Sequence, residues 1–145
     1  MKNKTPLKKT KLNFKRLRKK KFLFSLEKMR NEIYISATSN GIDSILLSND
    51  VSSEDSKKKR DSEYLIEQAK TQLEEYFQGK RKSFSTPLDY SKVSKFSRRV
   101  LKEARQIPFG ETRTYSWLAK KSGNPKSFRA VGQVMSRNPF LLFVP

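Results

Sequence analysis

The chain has no cysteine and no histidine in its 145 residues. The first absence excludes a disulfide framework and a thiolate zinc site, and fits a reducing compartment. The second removes the commonest general base and metal ligand, so neither a metal nor another cofactor is expected. No run of about 20 apolar residues occurs, which excludes a transmembrane helix. The apolar patch Phe22-Leu23-Phe24 is far too short for the core of a secretory signal. Acidic residues are scarce: 14 Asp and Glu stand against 33 Lys and Arg, a formal charge of +19. Hydrophobic residues make up 34%, enough at this length for one average domain or two small ones.

The charge is unevenly spread. Residues 1–30 hold 13 basic and 1 acidic residue, residues 31–90 hold 8 and 11, and residues 91–145 hold 12 and 2. Two basic ends around a mildly acidic middle point to a polyanion as partner of the ends. A Lys-rich solvated surface is the alternative, above all for residues 1–21 and for the run Lys57-Lys58-Lys59-Arg60. Residues 1–30 are expected to form a basic, disordered arm, or a weak amphipathic helix.

Past the arm, Glu32 to Ala37 and Ile42 to Leu47 are β-rich and flank the turn signal Ser39-Asn40-Gly41, which predicts a hairpin. A polar loop over 51–60 follows. Asp61 or Ser62 is expected to cap a helix reaching Gln78, with Gly79 as its stop and Leu65, Ala69, Leu73 and Tyr76/Phe77 as its apolar stripe. Glu67 pairs with Lys70 on its wet side. Lys80-Arg81-Lys82 and Pro87-Leu88-Asp89 form a linker, with a domain boundary near Tyr90. Ser91 or Ser94 then caps a helix through about Gln106, buried along Phe96, Val100, Ala104 and Ile107.

The last forty residues read as turn, helix, tight turn, helix and apolar run. Pro108-Phe109-Gly110 breaks the preceding helix. Thr114 caps a helix carrying Tyr115, Leu118 and Ala119, and Gly123 closes it. Asn124-Pro125 is expected to start the next helix, Asn as N-cap. On that helix Phe128, Val131 and Met135 face a core, while Lys126, Arg129, Gln133 and Arg137 face out. Two short helices, the second basic on its outer side, suggest a helix-turn-helix DNA reader.

The motifs I-P-F-G-E-T, T-Y-x-x-L-A, G-N-P, R-A-V-G and N-P, closed by an apolar run into V-P, occur in that order between Ile107 and Pro145. Together with Q-L-x-E-Y-F-x-G-K-R and P-L-D upstream, the chain resembles the 6-O-alkylguanine-DNA alkyltransferases, weakly over its first half and strongly over its second. The resemblance implies an α+β protein with a ribonuclease-H-like domain over 31–90 and an incomplete winged helix-turn-helix domain over 91–145. It implies direct reversal of 6-O-alkylguanine, in which a cysteine accepts the alkyl group. The expected partner is double-stranded DNA, entered from the minor groove at an alkylated guanine. A monomer is expected, in a bacterial cytoplasm or a eukaryotic nucleus, with no secretion.

The resemblance also implies roles for individual residues. Arg129 matches the arginine that fills the space left by a flipped base. Tyr115 matches the tyrosine that crowds a target-strand phosphate. Asn138 matches the asparagine that fixes the turn leading to the nucleophile, and 140–144 matches the buried strand that delivers it. Thr114, Lys126, Gln133 and Arg137 join the DNA-facing set, and Gly132 allows close approach of its helix to a neighbour or to DNA. Gln133 and Phe128 depart from the family, which has smaller residues there. The larger departure is that no acceptor cysteine is present; in the family it directly follows the proline matching Pro145. The chain is therefore expected to be a truncated, inactive alkyltransferase, with its C-terminal half poorly soluble or only partly folded because the apolar run is left uncovered. A non-catalytic relative that binds alkylated bases, and a generic basic nucleic-acid-binding protein, are the alternatives.

Overall fold

A computed structural model describes residues 8–9, 32–48 and 60–145. It is an α+β structure of two compact units, 1–89 and 90–145.

In the first unit strand β1 (Lys8–Lys9) pairs antiparallel with β2 (Glu32–Thr38), which pairs antiparallel with β3 (Gly41–Ser48). The hairpin turns on Ser39-Asn40, and its register shifts at a bulge between Ser36 and Ala37. As the middle strand of three, β2 is buried continuously from Ile33 to Ala37 rather than on alternate residues. Lys8–Lys9 is the described part of the stretch expected as a disordered arm, and it is strand. The rest of that stretch, and residues 51–59 of the expected loop, lie outside the described residues.

Helix α1 (Arg60–Phe77) packs on β2 and β3 through Leu65, Ile66, Ala69, Leu73 and Phe77. It starts at Arg60, so Asp61 and Ser62 lie within its first turn rather than capping it. Its end is as expected: Gly79 takes a φ of 72°, and the amides of Gly79 and Lys80 reach back to the carbonyls of Tyr76 and Glu75 at 2.9 Å each. Lys70 Nζ pairs with Glu67 Oε2 at 3.8 Å. The buried Gln72 holds the following segment: its Oε1 accepts from the Ser85 and Thr86 amides at 2.9 and 3.3 Å.

Residues 87–89 then lie against the start of β3. The Ile42 amide donates to Pro87 O at 2.9 Å, and the Asp89 amide donates to Ile42 O at 2.7 Å. Only glycine fits opposite: a Cβ on Gly41 would stand 2.7 Å from Pro87 O and 2.9 Å from Leu88 C.

The second unit is three helices, each packed on the other two: α2 (Lys95–Arg105), α3 (Tyr115–Lys121) and α4 (Phe128–Ser136). Ser94 rather than Ser91 caps α2, its hydroxyl accepting from the Ser97 amide at 3.1 Å. Val100, Leu101 and Ala104 of α2 meet Leu118 and Ala119 of α3 and Val131 of α4 in the core. Phe140, Phe143 and Val144 complete it at 0%, 2% and 2% exposure.

Those last values correct two expectations. The apolar run is covered, because it folds back into the helical core, so the C-terminal half does not expose it. Nor is the run a strand: the amides of Phe143 and Val144 both donate to Phe140 O, at 3.1 and 3.0 Å, and Leu142 sits at φ 72°. A chain turned this tightly has only the isolated bridge between Leu141 and Val144.

Candidate nucleic-acid interface

The turn before α3 closes by a hydrogen bond from the Glu111 amide to Pro108 O at 3.0 Å. Thr114 then caps α3, its Oγ1 accepting from the Trp117 amide at 3.1 Å. That cap sets the backbone of Tyr115, the first residue of the helix, whose side chain is 52% exposed.

Between α3 and α4 the chain reverses by a Schellman motif. Gly123, at φ 83°, sends its amide to Lys120 O at 3.2 Å, and the Asn124 amide reaches Ala119 O at 3.0 Å. Asn124 does not cap α4 as expected. Its carbonyl is taken by the Ser127 amide at 3.0 Å and the Ser127 hydroxyl at 2.6 Å, closing a four-residue turn. Pro125 is its second residue, a position its fixed φ favours. The helix therefore begins at Phe128, and Lys126 lies in the turn.

Arg129, Gln133 and Arg137 are exposed along and just beyond α4, with exposed Lys126 ahead of them, while Val131 is wholly buried opposite. Phe128, the first residue of α4, does not face the core: it is 44% exposed. Its ring instead underlies the Arg129 guanidinium, 5.9 Å from centroid to Cζ. Such an exposed cation–π contact is worth roughly 0.5–1 kcal/mol and steadies a side chain without neutralising it.

Asn138 is held inside the terminal turn. Its Oδ1 accepts from the Phe140 amide at 2.9 Å and its Nδ2 donates to Val144 O at 3.0 Å. Tyr90 seats the same turn, its ring edge-on to Phe140 at 5.1 Å between centroids. Tyr115 and α4 meet at Gly132, whereas Asn138 serves its own turn and bonds to neither Tyr115 nor Arg129.

Sequence reasoning missed Trp117. Arg113, just ahead of the α3 cap, and Lys121, in the last turn of α3, stand over its ring at 5.5 and 5.8 Å. The spacing 117–121 carried part of the signal, since residues four apart share a helix face; Arg113 lies ahead of the helix and had none.

Two family models match the chain. One is described as 6-O-methylguanine DNA methyltransferase, ribonuclease-like domain, and covers residues 31–90; the other is the DNA binding domain of the same protein and covers 95–145. The chain belongs to the 6-O-methylguanine DNA methyltransferase family.

Among relatives of this methyltransferase family, the constitutive methylated-DNA–protein-cysteine methyltransferase of Bacillus subtilis is 46% identical over 80 residues, which are 55% of this chain and 48% of that protein. The Methanosarcina acetivorans methyltransferase is 44% identical over 85 residues, 59% of this chain and 54% of that one. The chain spans about half the length of these relatives in the matched region. Among solved structures, Mycobacterium tuberculosis OGT in complex with DNA superposes with a TM-score of 0.64 at 28% identity, over 78% of this chain and 68% of that one. The M. tuberculosis O6-methylguanine methyltransferase gives 0.63 at 27% identity with the same coverage.

Proposed function

We propose that the chain binds double-stranded DNA from the minor groove and rotates an alkylated guanine out of the stack, the base-presenting step of 6-O-alkylguanine repair. The observation that carries the reading is the joint geometry of α3 and α4. Tyr115 opens α3 with its ring against α4, and Arg129 stands free of any carboxylate partner among the described residues on the outward side of α4's first turn.

Extruding a base costs a few kcal/mol, which contacts made only in the extruded state must offset. Arg129 is the side chain to fill the vacated space, and Tyr115 the one to crowd the target-strand phosphate. Thr114, Lys126, Gln133 and Arg137 hold the backbone on either side, where phosphate contacts fix register without reading sequence. Asn138 holds the 138–144 turn in shape.

Alkyl transfer itself needs a soft, deprotonated nucleophile such as a thiolate. These 145 residues contain none, so this chain alone leaves the alkyl group on the guanine oxygen. Acting as a monomer, it would work where duplex DNA is held, in a bacterial cytoplasm or a eukaryotic nucleus.

Fluorescence anisotropy with a duplex bearing one 6-O-methylguanine, against its unmodified twin, tests the reading. Tighter binding to the lesion supports it, and equal affinity reduces the chain to a generic basic binder. Incubation with labelled benzylguanine is expected to yield no covalent adduct; an adduct refutes the account of the chemistry.

A further inference from the structure

Gly132 lies in the interior of α4, where glycine is about 1 kcal/mol less favourable than alanine. Its backbone does not call for glycine, since it is not among the residues with positive φ. What a side chain there would meet is a single group: an ideal Cβ would lie 3.4 Å from Cε2 and 3.5 Å from Cδ2 of Tyr115, with no other neighbour inside 4 Å. Tyr115 is half exposed at the very start of α3, so burial alone does not fix its ring. One edge of the ring therefore lies within van der Waals reach of the place a Gly132 side chain would take.

We infer that Gly132 is a positioning residue acting through Tyr115: the space its missing side chain leaves is the seat that sets the tyrosine ring. The inference rests on the proposed role of Tyr115 in base extrusion. An alanine methyl would only touch the ring at ordinary van der Waals distance. The γ carbons of a larger residue would occupy the seat and lever the ring off α4. Close approach to DNA makes the opposite demand, because a bulky residue would then obstruct the groove with or without the tyrosine.

The test is a double-mutant cycle on the full chain with Gly132→Leu, Tyr115→Ala and both together, and Gly132→Ala as the mild control. Affinity is read by anisotropy, and extrusion by the fluorescence of a 2-aminopurine beside a 6-O-methylguanine. Thermal unfolding accompanies each variant, so that a folding defect is separated from a loss of extrusion. Gly132→Leu is expected to lower the extrusion signal about tenfold, as Tyr115→Ala does, and to cost nothing further in the Tyr115→Ala background, the coupling of two residues in contact. Gly132→Ala should stay within about twofold of the parent, as a contact at van der Waals distance allows. An undiminished loss from Gly132→Leu in the Tyr115→Ala background overturns the inference in favour of groove approach, and no loss in either background overturns it outright. Should the parent chain give no extrusion signal, it is the proposed function that fails. The seat is then decided by nuclear Overhauser contacts between Gly132 Hα and the Tyr115 ring, whose absence overturns it.

Discussion

Asn138 and Val144 are tied across the terminal turn: Asn138 Nδ2 donates to Val144 O at 3.0 Å while the same carboxamide accepts from the Phe140 amide at 2.9 Å. One side chain thus supplies a donor and an acceptor to a loop whose backbone cannot satisfy both ends itself. Asn138→Ala removes both bonds and leaves two half-buried backbone groups wanting, a loss of roughly 1–3 kcal/mol expected in urea unfolding of the second unit. Asn138→Asp keeps the acceptor but sets a carboxylate against a carbonyl oxygen. Only the protonated acid can replace the lost donor, so this variant is expected to be more stable in mild acid than at neutral pH. A pH-independent Asn138→Asp would show that the Val144 bond contributes nothing.

Leu142 is the residue that makes the turn costly. It is the one non-glycine at positive φ among the described residues, at 72°. A branched side chain in that region stores on the order of 1 kcal/mol, which a glycine does not. Leu142→Gly is therefore expected to hold or raise the unfolding midpoint despite losing a half-buried side chain, while the β-branched Leu142→Val lowers it. The reverse ranking would mean that packing of Leu142 outweighs its backbone.

These two residues also mark where the sequence stops being legible. Ser94, Thr114, Gly79 and Gly123 signal their helix ends locally, because a cap needs only a hydroxyl or a left-handed residue within a few positions. The run 140–144, a strand by the resemblance, is turn in fact, because Asn138 bonds both of its ends. The start of α4 was misplaced for a similar reason: Asn124 can cap a helix or have its carbonyl captured by Ser127, and only the three-dimensional turn decides. The exposed basic series was readable from spacing, and Gly132 as a place of close approach; that the neighbour is Tyr115 joins two helices and has no local signal.

Long-range constraint is sharpest at Gly41. Its neighbours are backbone atoms of 87–89, which cannot swing aside as a flexible side chain would. Gly41→Ala is expected to break the pairing of Ile42 with Pro87 and Asp89 and to cost about 3 kcal/mol or more, as overpacking against a fixed partner does. Amide exchange should show protection lost first at Ile42 and Asp89. Unchanged protection there would mean that the hairpin and the 87–89 segment take up the methyl together with their pairing intact.

Binding to DNA is expected to weaken steeply with salt, because released counterions dominate the affinity of a basic face. Trp117, the single tryptophan of the chain, lies on α3 between Arg113 and Lys121 and gives a built-in fluorescence signal for the titration. Lys126→Ala and Arg137→Ala should each weaken binding alike on every sequence and reduce the logarithmic salt slope by about 1, the signature of one phosphate contact. Arg129→Ala should behave differently: its guanidinium is proposed to fill the duplex rather than to sit on a phosphate, so the preference for 6-O-methylguanine should fall while the salt slope changes less. If Arg129→Ala lowers the slope as much as Lys126→Ala and leaves lesion preference intact, Arg129 is a phosphate ligand and base extrusion must be sought in another side chain.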